Sequence, residues 1–206
     1  MALGCSVLVV LICCAGWGFR MVYFPPTPPH PAYDRLMAAI DGEQPSTVEA
    51  AFANGANPNW FPTDRASLRW EDDMSPLDSA VIGGKLDVIR VLLKRGADPN
   101  LGDGFCVCPL EAAAENDSLE VMRLLIKNGA KVNDNSEGSS ALWRAAFDAH
   151  LAALAFLLQH GANPNTFRST LGGKTLLKVL SEDAALGDNP PNAQVVRMLK
   201  AAGGHE

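Results

Sequence analysis

Two kinds of apolar run alternate down the chain. The first is short and rich in small residues behind a leucine: Asp34-Arg35-Leu36-Met37-Ala38-Ala39, Ser75-Pro76-Leu77-Asp78-Ser79-Ala80, Cys108-Pro109-Leu110-Glu111-Ala112-Ala113 and Ser140-Ala141-Leu142-Trp143-Arg144-Ala145. Each reads as a helix start. The side chains of Asp34, Ser75 and Ser140 can accept from the free N–H groups of a first turn, and Pro76 and Pro109 suit a first helical position. The alanines leave room for a second helix to approach. The other kind of run is bulkier, as in Val88-Ile89-Arg90-Val91-Leu92-Leu93 and Val121-Met122-Arg123-Leu124-Leu125-Ile126. It ends at a glycine, the residue that most readily takes the left-handed conformation closing a helix.

Those glycines open near-copies of one phrase: Gly55-Ala56-Asn57-Pro58-Asn59, Gly96-Ala97-Asp98-Pro99-Asn100, Gly129-Ala130-Lys131-Val132-Asn133 and Gly161-Ala162-Asn163-Pro164-Asn165, with a fainter copy at Gly203. The glycines lie 41, 33, 32 and 42 residues apart, and Leu36, Leu77, Leu110 and Leu142 each stand 19 residues before one. A fixed offset inside a period near 33 marks a stacked array, whose units bury their core against neighbours and leave one concave face free. Each unit reads as helix, turn, helix, glycine stop and hairpin-like loop.

This pattern resembles the ankyrin repeat, whose signature is Thr-Pro-Leu-His-x-Ala at about 33 residues. The likeness covers residues 33–204 and implies an all-α solenoid of five helix–turn–helix units, about 33–74, 75–107, 108–139, 140–173 and 174–204. The signature histidine is missing: Met37, Asp78, Glu111, Trp143 and Leu177 take its place. The terminal units are the least regular. The last keeps Thr175-Leu176-Leu177 and Val195-Val196-Arg197-Met198-Leu199, separated by an insertion near Ser181–Asn192 that reads as an enlarged turn.

Composition narrows the function. The net charge is -6, and nucleic acid calls for clustered Lys and Arg on one face, so none is expected as a partner. The five cysteines do not make a disulfide framework and read as small thiols of a reducing setting. The four histidines show no ligand spacing, so no metal is expected. No nucleophile–base pair, phosphate loop or paired-carboxylate motif stands out. The chain is expected to be no enzyme, to need no cofactor and to take no small-molecule substrate.

Residues 1–24 and 25–32 precede the repeats. Ala2 to Phe19 carries no charge. As a helix its 18 residues would span about 27 Å, close to the roughly 30 Å of a bilayer's hydrocarbon core. Trp17, Phe19, Tyr23 and Phe24 gather around Arg20 as an interfacial belt would. The reading taken is an uncleaved single-pass anchor, since the start lacks the basic residues of a signal peptide, with the repeat domain cytoplasmic because the positive charges, Arg20 and Arg35, flank its C-terminal side. The alternative is cleavage near Cys13-Cys14-Ala15 and an exported, periplasmic domain. The chain thus reads as an anchored or exported ankyrin protein of bacterial type. Pro25-Pro26-Thr27-Pro28-Pro29-His30-Pro31 reads as a semi-rigid spacer.

Family contacts come from loop tips and the exposed part of the first helix. Carried over by offset from each leucine, the resemblance implies tip positions Glu71, Asp72 and Met74, then Gly104, Phe105 and Val107, then Ser136, Glu137 and Ser139. The implied helix positions are Ile82, Glu115, Asn116, Phe147 and Asp148. The long loop from Trp60 to Met74 adds Trp60, Phe61 and Trp70 among charges, the composition of a binding hot spot; the same aromatics could instead fold back over the first unit. Trp143, inside a helix, reads as packing, and His160 as a solvated helix end. The leading expectation is a membrane-tethered module that binds a protein partner across the concave face, with an inhibitor or immunity-type protein as a narrower version. The alternative is an exported, holdase-like factor that protects envelope enzymes.

Overall fold

The computed structural model describes residues 31–60, 74–101, 108–133, 140–168, 174–184 and 190–205. In order these form α1 (Pro31–Asp41), α2 (Pro45–Ala53), α3 (Pro76–Ile82), α4 (Leu86–Lys94), α5 (Pro109–Glu115), α6 (Leu119–Lys127), α7 (Ala141–Phe147), α8 (Leu151–Gln159), β1 (Phe167–Arg168), β2 (Lys174–Thr175), α9 (Leu176–Ala184) and α10 (Pro190–Ala201). The helices make the five expected pairs.

The local chemistry of the starts and stops is visible in the hydrogen bonds. The Ser75 hydroxyl accepts from the Asp78 N–H at 3.1 Å and donates to Asp78 Oδ2 at 2.7 Å. Ser140 Oγ accepts from the Trp143 N–H. Cys108 holds the same position at α5 but makes no side-chain cap. Asp34 does not cap as expected: Pro31 starts α1, so Asp34 sits within its first turn, and Pro31 and Ala32 belong to the helix rather than to the spacer. At the other end Gly96 takes φ +87°, and the Ala97 N–H reaches back to the Leu92 carbonyl at 3.0 Å. The same back-bond recurs at Ala56, Ala130 and Ala162, so each alanine after the glycine closes its helix and turns the chain out of it.

Stacking follows from this shared register. The first helices lie side by side, α3 against α1 and α5 and α5 against α7; the second helices do the same through α2, α4, α6, α8 and α10. Leu36, Leu77, Leu110, Leu142 and Leu176 are buried at the inner seam, and Leu92, Leu125, Leu157 and Leu199 at the outer one. The signature-histidine position points inward too: Asp78, Glu111, Trp143 and Leu177 are buried there.

The last asparagine of each phrase ties one unit to the next. Asn59 Nδ2 donates to the Gly96 carbonyl at 2.8 Å, while its Oδ1 accepts from the Asp98 N–H at 2.7 Å. Asn100 does the same with Gly129 and Lys131, Asn133 with Gly161 and Asn163, and Asn165 with Gly203 and His205. Each amide thus satisfies one donor and one acceptor of the following turn.

The last unit departs from the all-helical expectation. Its connection pairs Phe167 with Thr175 and Arg168 with Lys174 as an antiparallel ladder, because a link long enough to run out and back can satisfy its own backbone groups. The insertion is smaller than expected: α9 continues through Ser181 to Ala184, and α10 starts at Pro190, a residue suited to a first turn. This unit joins the stack through α10, which packs on α8 and α7.

Candidate functional site

The last residue of each of the first four inner helices occupies one register, five positions beyond the buried leucine. These residues are Asp41, Ile82, Glu115 and Phe147. A seven-residue helix whose leucine and alanines face the seam must send its final side chain the other way. The result is an exposed row that crosses four units. Ile82 is 53% exposed and Phe147 44%; among the described residues these are the large apolar side chains left in water. In the fifth unit the equivalent residue is Ser181, within α9.

The row's electrostatics are uneven. Lys85 Nζ donates to the Ile40 carbonyl at 3.1 Å and stands 3.7 Å from Asp41 as an ion pair without a hydrogen bond. Glu115 Oε2 lies 3.9 Å from Arg144 Nη1, beyond hydrogen-bond distance, with both side chains part-exposed. The Glu115 carbonyl contacts His150 Nε2 at 2.9 Å, which fixes the helix end and leaves the carboxylate to its hydrogen-bond-free ion pair with Arg144. Asn116 and Asp148, next along their helices, are exposed caps. Asp148 makes no side-chain hydrogen bond or ion pair among the described residues. Further along, Lys174 donates to Glu182 at 2.6 Å, and this hydrogen bond, reinforced by the charges of Lys174 and Lys178, holds the Glu182 carboxyl below its ordinary pKa.

The sequence-derived positions divide into three groups. Ile82, Glu115, Asn116, Phe147 and Asp148 come together as one exposed row. Trp60 and Met74 lie elsewhere, at the first unit. The Trp60 ring packs on Tyr33 at 4.2 Å, and the Tyr33 hydroxyl donates to the Met74 carbonyl at 3.0 Å. Both residues are half-buried, which places Trp60 over α1 in the manner of the fold-back reading. Phe61, Trp70, Glu71, Asp72, Phe105, Val107 and Glu137 lie outside the described residues, as do the tip positions Gly104, Ser136 and Ser139.

Trp143 is buried and stacks on Phe147 with ring centroids 5.5 Å apart, so it supports the row from beneath. His160 is exposed, as expected of a helix end, and also leans on Phe156 at 4.1 Å. The offsets singled out neither Asp41 of the row nor Arg144 beside it. The signal for Arg144 was present: the matching positions in the first three units are Ala38, Ser79 and Ala112, and only the last unit, with Lys178, also carries a long cation there.

Among the described residues no group of His, Cys, Asp or Glu could hold a metal ion, and no helix is long and apolar enough to cross a membrane. Residues 2–19, read above as an anchor, lie outside the described residues.

Comparison with known families agrees with the geometry. A family model described as ankyrin repeats in three copies matches residues 104–168, and a model described as an ankyrin repeat matches residues 72–104. No curated protein matches the chain. Ankyrin repeats are typically non-catalytic modules that bind protein partners. The segment from residue 72 to residue 168 thus matches a run of ankyrin repeats, with a helix pair on either side of it.

Proposed function

We propose that this protein is a non-catalytic binding module that docks a protein partner across the ends of its inner helices. The observation that carries the reading is the shared register of Ile82 and Phe147, exposed in a molecule whose other large apolar side chains are covered among the described residues. Covering one such side chain contributes about 1.5–3 kcal/mol when complete. Exposed apolar groups repeated at one register on a rigid stack are what a specific partner can use.

On the sequence alone, Ala2 to Phe19 would tether this module to a membrane, with the repeats on the cytoplasmic side. The full chain should then pellet with membranes, resist high-salt extraction and keep residue 1 or 2 at its N-terminus. An intact mass that begins near Gly16 would overturn the anchor and establish an exported domain.

The test of binding is capture by the full-length chain from detergent-solubilised membranes of its native source. One partner at defined stoichiometry, lost on Ile82→Ala/Phe147→Ala, is the expected result. Many weakly held proteins, captured equally by the double variant, would contradict it.

A further inference from the structure

The row has an order as well as a location. Two apolar side chains, Ile82 and Phe147, bracket a carboxylate, Glu115, whose cationic neighbour Arg144 stands outside hydrogen-bond range. Asp148, beside Phe147, adds a second acid with no partner among the described residues. From Asp41 to Phe147 the row therefore reads acidic, apolar, acidic, apolar, with Arg144 beside Glu115 and Asp148 beside Phe147. Resting on the binding reading above, we propose that the occupant is one amphipathic helix of a protein partner, carrying two large apolar residues with a lysine or arginine between them.

The spacing specifies the helix. Packed helices stand 8–10 Å apart, so Ile82 and Phe147, two helices apart, are separated by roughly 16–20 Å. A partner helix rising 1.5 Å per residue covers that distance in about 11–13 residues. Residues i and i+11 fall on one face of a helix, as do i+4 and i+7 between them. A cation at i+4 or i+7 would face Glu115. An extended segment fits less well: at about 3.3 Å per residue it spans the distance in roughly five or six residues, and an odd count puts the second anchor on the wrong face. The chemistry also disfavours an acidic partner, because an acid placed over Glu115 would bring two like charges together at the centre of the contact with Arg144 alone to offset them.

The experiment is selection of displayed twenty-residue peptides on the full-length protein. The expected winners carry two large apolar residues about eleven apart with Lys or Arg between them, and become helical when bound. Their affinity should fall about 30-fold on Ile82→Ala and again on Phe147→Ala, a hot-spot loss at each anchor. Glu115→Lys should lower it similarly, and selection on that variant should return peptides with Asp or Glu at the centre. Winners that need Ile82 and Phe147 but are acidic or neutral between their anchors would overturn the partner chemistry and leave the row as a binding site. Winners indifferent to all three substitutions, or no winners at all, would overturn both.

Discussion

The two edges of this molecule are built from the same repeat and do opposite things. At the turn edge the repeated phrase is nearly constant, and its asparagines meet the next unit with the same pair of hydrogen bonds four times over. At the inner-helix edge the residues in register are Asp41, Ile82, Glu115 and Phe147, which alternate between a carboxylate and a large apolar side chain. Where a position must match its counterpart in the next unit, its identity is fixed by the stack. Where it faces water, each unit can carry a different residue without disturbing its neighbours. The row of unlike residues is therefore where specificity can reside, and the row of like residues is where stability resides.

Substitutions that separate stacking from recognition should fall in a clear order. The largest loss is expected in the seam. Leu92 is buried where α4 meets its neighbours, and Leu92→Ala should cost about 2–5 kcal/mol in chemical denaturation because the fixed helices around it cannot close the cavity. A loss below about 1 kcal/mol would mean that Leu92 is not a seam residue. Next comes the turn edge. Asn133 donates to Gly161 at 2.9 Å and accepts from Asn163 at 2.8 Å, so Asn133→Ala should cost about 1–2 kcal/mol, the net worth of two hydrogen bonds. An unchanged midpoint would show that water replaces the amide without loss.

A smaller effect, of the opposite sign, is expected at the turn between paired helices. Glu43, Gly84, Asp117 and Ala149 all hold positive φ there. Glycine does so without strain, and Asp117 gains a bond from the Ala153 N–H at 3.1 Å. Ala149, at φ +55°, has no such side-chain compensation. Ala149→Gly should therefore raise stability by about 0.5–1 kcal/mol, whereas glycine elsewhere normally lowers it. A lower midpoint would show that the chain entropy of glycine outweighs the strain.

Much of the fold was legible in the sequence because the repeat is a local signal read several times. Leucine, helix end and glycine keep one spacing, and a stack needs little else. Three features were not legible. The asparagine links depend on which atoms meet across 28 to 40 residues of chain, and the phrase alone marks Asn59 or Asn100 only as turn residues. The β1–β2 pairing arises where the chain leaves the repeat register, so the offsets are silent there. Asp34 carries a cap residue's chemistry, but Pro31 begins the helix earlier and takes Asp34 inside. For the site, the leucine offset found Ile82, Glu115 and Phe147 because exposure is periodic too. Arg144 was missed because it lies on the same helix at a position that the first three units fill with small residues. Trp60 has the composition of an anchor, yet its contact with Tyr33 comes from a residue in the preceding helix pair, which spacing cannot reveal.

The claim that one edge holds the stack while the other recognises a partner is tested most directly on Ile82→Ala/Phe147→Ala. Melting and partner capture should be measured on the same full-length preparation. Ile82→Ala alone should change stability by no more than about 0.5 kcal/mol, and Phe147→Ala by about 0.5–1.5 kcal/mol because it also removes the ring stack on Trp143, while capture of the partner per folded molecule is lost. A clear fall in melting temperature with unchanged capture per folded molecule would contradict the account.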